Sequence, residues 1–349
     1  KKEARYCRLQ GQTLMISKEQ KKRPYVVLSL AMSKVSYDVE TLQLKLSVTS
    51  VKRSIVFYAE KASDLKKWVA ACSSAISASF EDYYTTGKKL GAGAYGDVYL
   101  CKDRRTSEQF AMKTVNKTQA SSHQMEYILR ELHIMRLVNH PNVIRSVDIF
   151  SGPKDMKIVM ELAEGGCLHD VLEAKGSFSE DHARLCMRDI LRGIRYLHRR
   201  NVVHRDLKLK NVLIRRTKFP LGCKLADFGL SNFVGMSELS KEDLNSLVGS
   251  PHYVSPEIIM GEKYGKSVDL WSAGIMFYNM VTGMYPFAGD TLQETLNLIA
   301  TGKSEWETYL RALSKPAASL IYGLLERNPR DRLTVEDALR HPFMSMMKN

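Results

Sequence analysis

The sequence predicts an α+β protein, and three features of its pattern carry that expectation. Between Tyr6 and Tyr58 lie short β-rich runs separated by Gly, Ser and Lys clusters, as in a meandering antiparallel sheet. Residues 62–76 then switch to a helical period. From Tyr83 onward a glycine-rich hairpin and further strands give way to mostly helix, a small sheet lobe ahead of a larger helical lobe.

The β-rich runs are Tyr-Cys-Arg-Leu at 6–9, Thr-Leu-Met-Ile at 13–16, Tyr-Val-Val-Leu-Ser-Leu at 25–30, Leu-Gln-Leu-Lys-Leu-Ser-Val at 42–48 and Ser-Ile-Val-Phe-Tyr at 54–58. Leu65, Trp68, Val69, Cys72 and Ile76 then fall on one helix face, with Ser63 placed to cap it. Several strands followed by one Trp-bearing amphipathic helix resembles a pleckstrin-homology domain. The resemblance implies a small β-barrel or sandwich plus C-terminal helix over 1–79. The strand expected before Tyr6 is then cut, and with it much of the phosphoinositide-binding loop. Ser77 to Asp82 reads as a short linker.

Composition narrows the class. A chain of 349 residues, 44% hydrophobic and 26% charged, suits a small module plus a two-lobed globular unit. Its six cysteines are scattered without a C-x-x-C, which favours reduced thiols and a cytoplasmic setting, with peripheral membrane attachment as a second location. No signal peptide opens the chain, and a start at Lys1 reads as a fragment or processed product. Trp271 to Met284, interrupted by Ser272, Asn279 and Thr282, is too short and too polar for a bilayer span of about 20 apolar residues, and reads as a buried helix. The net charge is +14, and residues 1–79 hold 15 Lys/Arg against 6 Asp/Glu. The cluster Lys18, Lys21, Lys22, Arg23 would be drawn to acidic surfaces, acidic membrane lipid foremost, or is a solvated loop; nucleic acid is not expected.

The chemistry-bearing residues begin at Gly91-Ala92-Gly93-Ala94-Tyr95-Gly96-Asp97-Val98. Such glycines let backbone N–H groups approach a polyphosphate. In dinucleotide-binding folds this spacing opens a helix; here a strand, Val-Tyr-Leu-Cys, follows at once, so the loop caps a hairpin. The next strand reaches Ala111-Met112-Lys113, where a lysine can pair with phosphates if a counter-charge holds it. Gln124 to Val138 reads as an amphipathic helix bearing Glu131, with Glu126 as the alternative. Then come His204-Arg205-Asp206-Leu207-Lys208-Leu209-Lys210-Asn211 and Asp227-Phe228-Gly229.

Together these motifs resemble the eukaryotic protein-kinase superfamily. Asp227 to Asn232 and Gly249 to Glu257 look most like its calmodulin-dependent and AMP-activated-kinase-like branch. The resemblance implies a bilobal kinase fold over 80–349, core 84–343, and an ATP-dependent serine/threonine protein kinase. Asp206 would orient the substrate hydroxyl and accept its proton, and Lys208 would offset charge on the transferring phosphoryl. Lys113 would pair with Glu131, whose spacing to His140-Pro141-Asn142 matches the family. Asn211 and Asp227 would hold Mg²⁺. ATP would meet Leu90, Gly91, Ala92, Gly93, Ala94, Tyr95, Gly96, Asp97, Val98, Ala111, Lys113, Met160, Glu161, Ala163 and Leu213. Glu257, in a Ser-Pro-Glu that replaces the usual Ala-Pro-Glu, would pair with Arg332, and Asp269 with Trp271 would open the helix anchoring the catalytic loop. Ser246 is the expected phosphosite for an upstream activating kinase, with Ser240 or Ser237 as the alternatives, and protein substrates are the expected partners. Cys167, Lys210 and Asn279 occupy places where arginine-selecting relatives carry carboxylates. Two other readings stand beside this one: a pseudokinase or scaffold, and a membrane adaptor built on residues 1–79.

Overall fold

Strand alternation dictates the first elements. Leu14 and Ile16, like Leu44 and Leu46, are two residues apart and so share a sheet face, and in the computed structural model of the protein that face is buried. The structure describes residues 4–20, 26–30, 33–48, 53–93, 96–117, 135, 138–152, 154–227, 232–233 and 251–345. Strands β1 (Tyr6–Gln10), β2 (Thr13–Ser17) and β3 (Val26–Ser29) form one antiparallel sheet, and β4 (Lys34–Asp38), β5 (Gln43–Val48) and β6 (Arg53–Tyr58) form a second. Leu14, Ile16 and Leu28 of the first and Leu44, Leu46 and Val48 of the second share one core with Leu65, Cys72 and Ala75 of helix α1 (Ala62–Ser77). Each leucine fully buried there stabilises the fold by roughly 1.5–3 kcal/mol relative to exposure.

Three details differ from the sequence reading. β4 has no counterpart among the β-rich runs, because only Val35 of its five residues is even partly buried and the alternation is faint. Ser63 does not cap α1: the extended residue before the helix is Lys61, and Ser63 lies inside the first turn. The stretch read as a linker is structured, since α1 continues to Ser77 and a short helix α2 (Phe80–Tyr83) follows. Its start is set by the Asp82 carboxylate, which accepts from the Ser79 N–H at 2.7 Å.

The next sheet holds β7 (Tyr84–Gly93), β8 (Gly96–Asp103), β9 (Gln109–Asn116), β10 (Ser146–Ser151) and β11 (Asp155–Glu161), in the order β10-β11-β9-β8-β7 with antiparallel neighbours. Phe80 of α2 is 2% exposed and belongs to this sheet's core, with Tyr84, Cys101, Phe110, Met112, Phe150 and Val159. Phe80 stacks on Tyr84 at 5.3 Å and meets Phe150 edge-on at 5.8 Å. This sheet and the N-terminal strands make up one compact unit, residues 1–137 and 145–162.

The second unit, residues 138–144 and 163–349, is mainly helical. Its helices are α3 (Leu168–Lys175), α4 (Glu180–His198), α5 (Pro256–Ile259), α6 (Ser267–Thr282), α7 (Leu292–Thr301), α8 (Glu307–Leu310), α9 (Lys315–Leu324), α10 (Val335–Arg340) and α11 (Pro342–Ser345). Two short ribbons join them: β12 (Val202–Val203) with β15 (Asn232–Phe233), and β13 (Val212–Ile214) with β14 (Cys223–Leu225). The buried helix expected near Trp271 is α6, in which every residue from Val268 to Met280 is buried. Among the described residues no helix is long and apolar enough to cross a membrane. A sheet-rich first unit and a helical second one realise the expected α+β order.

Candidate active site

In the first unit the glycine motif forms the β7–β8 hairpin, with Gly91 opposite Val98, Ala92 opposite Asp97 and Gly93 opposite Gly96. Leu90 on β7 is exposed. Gly96 has φ +149°, and a Cβ there would collide with the Thr114 carbonyl oxygen, so no other residue fits. The Lys89 ammonium reaches the Asp97 carboxylate at 2.8 Å across the hairpin. That hydrogen bond holds the Asp97 carboxyl below its ordinary range. Ala94 and Tyr95 at the tip lie outside the described residues.

Sheet register then places four expected nucleotide contacts, Val98, Ala111, Lys113 and Met160, on adjacent strands. Lys113 stands between Val98 on β8 and Ile158 on β11, and Ala111 lies opposite Met160. Lys113 is 6% exposed. A buried ammonium needs a counter-charge; Glu131, expected to supply it, lies outside the described residues. The Glu161 N–H donates to the Arg145 carbonyl at 3.0 Å, and its carboxylate accepts from the Arg145 N–H at 2.8 Å.

In the second unit the loop bearing Asp206 hangs on one buried carboxylate. Ser179 caps α4, and the face of that helix bearing Ile190, Leu191, Ile194 and Leu197 is buried, which carries His198 inward. Asp269, in the first turn of α6, accepts from His198 Nε2 at 2.8 Å, from the His204 N–H at 2.9 Å and from the Arg205 N–H at 2.9 Å. Burial pushes this carboxyl up, but the bond and charge of His198 and the nearby His204 outweigh it, and Asp269 is held below its ordinary range. Two residues are also held in left-handed backbone, Arg205 in this loop at φ +69° and Asp227 after β14 at φ +64°, a conformation that costs about 1–3 kcal/mol and must be imposed by the surroundings.

That anchoring presents Asp206, Lys208 and Asn211 together. Asp206 Oδ2 receives Lys208 Nζ at 2.9 Å and Asn211 Nδ2 at 2.9 Å, and Asn211 Nδ2 also donates to the Asp206 carbonyl at 2.8 Å. Because the Asn211 nitrogen is committed to Asp206, its amide oxygen is the atom presented elsewhere. The Ala226 N–H donates to the Asn211 carbonyl at 2.9 Å and Leu225 pairs with Val212, which brings Asp227 beside Asn211. Leu213 on β13 is half-buried and bridges Cys167, the residue before α3; the Ala163 carbonyl closes the turn to Gly166 at 3.4 Å. A small cleft next to Asp206 is lined by Leu207, Tyr253, Val254 and Ser255.

Glu257 and Arg332 meet as expected, with no exposed side-chain surface on either. Two hydrogen bonds join them, at 2.7 and 3.0 Å, and Arg332 also donates to the carbonyls of Ser267, Glu326 and Arg327. Every donor of that guanidinium is thereby engaged, which is what a buried ion pair requires. Lys210 is exposed, whereas Asn279 is 6% exposed and donates to the Met284 carbonyl at 3.0 Å, so it serves the end of α6. Ser246, Phe228 and Gly229 lie outside the described residues. Sequence reading missed His198, although its place on the apolar face of α4, shortly before the His-Arg-Asp motif, was a usable signal.

Comparison with known proteins gives one consistent result. Residues 84–344 match the protein kinase domain family. Myosin light chain kinase A of Dictyostelium discoideum is 36% identical over 265 residues, 76% of this chain and 88% of that protein. Death-associated protein kinase 2 of Mus musculus is 36% identical over 271 residues, covering 76% and 72%. Calcium-dependent protein kinase 11 of Arabidopsis thaliana is 38% identical over 270 residues, covering 75% and 53%.

Proposed function

The chain belongs to the protein kinase family, and from that premise we propose that it transfers the γ-phosphoryl group of ATP to serine and threonine hydroxyls of proteins. The observation that carries this reading is the convergence of Lys208 and Asn211 on one oxygen of Asp206. With Oδ2 so engaged, Oδ1 is the atom that takes the hydroxyl proton as the new O–P bond forms and the bond to the β-phosphate oxygen breaks. Lys208 offsets negative charge on the phosphoryl oxygens, and Lys113 and the β7–β8 hairpin hold the nucleotide. Adenine recognition is assigned to the backbone of Glu161 and Ala163; since the Glu161 N–H is bonded to Arg145, its share falls to the carbonyl.

Asn211 and Asp227 offer an amide oxygen and a carboxylate, the hard donors that Mg²⁺ takes. When bound, the ion neutralises phosphate charge; the protein's part is to keep those two donors in place through the Asn211–Ala226 and Val212–Leu225 bonds.

Control is assigned to phosphorylation of Ser246, with Arg205 beside Asp206 as the group that engages the added charge. Residues 1–79 are assigned a pleckstrin-homology-like fold, supported by two sheets and a helix around one core. Their excess positive charge suits weak, salt-sensitive attraction to acidic lipid. With Lys210 exposed and no carboxylate at Cys167 or Asn279, weak selection for arginine upstream of the target residue is expected; Glu164, Asp170 and Glu173, all exposed, are the residues that would reverse it.

The test is transfer of labelled phosphate from ATP to a peptide library. Asp206→Asn should lose about 10²–10³ in kcat, some 3–4 kcal/mol, with unchanged thermal unfolding. Near-normal activity in that variant overturns the role given to Asp206.

A further inference from the structure

Two residues of the N-terminal strands reach the kinase sheet at a single strand. β10 lies at one edge of that sheet, so its outer backbone groups need partners. Gln12, in the turn between β1 and β2, is 2% exposed. Its Oε1 accepts from the Ser151 N–H at 3.2 Å, and its Nε2 donates to the carbonyls of Ile76 at 3.2 Å and Ala78 at 2.8 Å. One side chain thus ties the β1–β2 turn, the end of α1 and β10. The adjacent Gly11 has φ +51°, and a Cβ there would stand 2.7 Å from Asp148 Oδ1, so the turn lies directly on the strand.

β10 in turn holds both flanks of residues 118–134. At its far end, Ser151 Oγ and the Gly152 carbonyl accept from Lys117 Nζ, the latter at 2.7 Å, and the Lys117 N–H donates to the Lys154 carbonyl at 2.9 Å. At its start, Ser146 Oγ donates to the Met135 carbonyl at 3.0 Å, and Met135 is 3% exposed. Lys117 and Met135 immediately bracket the stretch that contains Glu131.

We infer that Gln12, which lies outside the kinase-family match, is a positioning residue for phosphoryl transfer: by fastening β10 to the N-terminal strands it sets the two anchors of the segment bearing Glu131. The inference rests on the proposed role of Glu131 as partner of Lys113. The contact falls on the sheet edge opposite the β7–β8 hairpin, so what the N-terminal strands brace is β10.

The test uses the full chain, with steady-state kinetics and amide hydrogen exchange at Ser151 measured on the same variants. Gln12→Ala should accelerate exchange at the Ser151 amide and lower kcat about fivefold or more, the low end of usual coupling between sites, with KM for the peptide unchanged. Gly11→Ala, which pushes the turn off Asp148 and leaves Gln12 in place, should act in the same direction and serves if Gln12→Ala does not fold. Ser151→Ala removes the oxygen that holds Lys117; combined with Gln12→Ala its loss in kcat should be less than additive, because both act along one path. Wild-type kcat with Ser151 exchange accelerated overturns the inference. So does a loss of kcat with Ser151 still protected, or strictly additive losses. Glu131→Gln separates the two readings: full activity there overturns the role of Glu131 itself, on a variant in which Ser151 exchange is unaltered.

Discussion

Around Asp206 order comes from buried charge, whereas around Leu46 it comes from apolar alternation. Asp269, His198, Glu257 and Arg332 are all buried, and each is matched to named donors or acceptors. The N-terminal core is made instead by Leu14, Leu44 and Leu46 of the two sheets with Leu30 after β3 and Leu65 of α1, all hydrophobic. Charges removed from water cost several kcal/mol each, so such a network is favourable only when every member is satisfied. In return it fixes the His204 and Arg205 amides to within hydrogen-bond tolerance, which an apolar contact cannot do. The leucine core asks only for volume and shape, and tolerates exchange of one hydrophobe for another.

The largest expected effect breaks the charged side of this contrast. Arg332→Met leaves Glu257 buried without its partner and should cost about 3–5 kcal/mol, read as a fall in the midpoint of chemical denaturation. Changing Glu257 and Arg332 together to apolar residues of similar volume should recover much of that. A single variant as stable as the parent would erase the distinction between the two regions.

Leu46→Ala, in a side chain with no exposed surface, should cost about 2–5 kcal/mol through transfer and cavity effects. Leu46→Met at the same place should cost less than about 1.5 kcal/mol. If methionine proves as harmful as alanine, the N-terminal core depends on fine shape and resembles the catalytic loop more than its composition suggests.

A smaller effect lies where the two kinds of order meet. Burial raises the Asp148 carboxyl to about 7; the Tyr84 hydroxyl, which donates to it at 2.7 Å, pulls the other way, and the Asp103 charge adds to the rise. The native state then holds a proton that the unfolded chain has released, so stability should fall as pH rises from about 4 to about 7 and level off above. Asp148→Asn should flatten that slope in thermal melts across the window. An unchanged slope would assign the pH dependence to other groups.

The smallest effect concerns Ser255, which replaces the usual alanine before Pro256-Glu257. Its hydroxyl is buried and has no hydrogen-bond partner among the described residues. Ser255→Ala should therefore be neutral or stabilising, by no more than about 1 kcal/mol. A clear loss of stability or activity would show that the hydroxyl is used.

Much of the site was legible because its chemistry is packed into short runs. Glycines spaced for a hairpin, a lysine on the strand beyond, and His-Arg-Asp with an asparagine five residues later each declare themselves within one turn or loop. The pairing of Glu257 with Arg332 was also reached, though only through the resemblance to kinases. β4 was not legible, since Val35 alone of its five side chains is partly buried and one such residue leaves no period to read. The cap of α1 was misplaced because Ser63 is a favoured capping type, whereas the helix starts two residues earlier behind Lys61, which makes no side-chain cap.

What the sequence determined by itself is whatever depends on neighbours along the chain: the α+β order, the leucine-bearing strand faces, the buried helix at Trp271 and the motifs that mark the kinase family. Period, turn chemistry and motif spacing are local quantities. The tertiary structure alone decided which polar residues would be enclosed. A glutamine in a turn between two strands is by type a surface residue, and Phe80 in a short linker has no period to mark it as core. Gln12 acquires its partner 139 residues away at Ser151, and His198 meets Asp269 across 71. Contacts of that separation leave no spacing rule in the sequence, because the loops between them can lengthen or shorten at little cost in free energy without moving the ends.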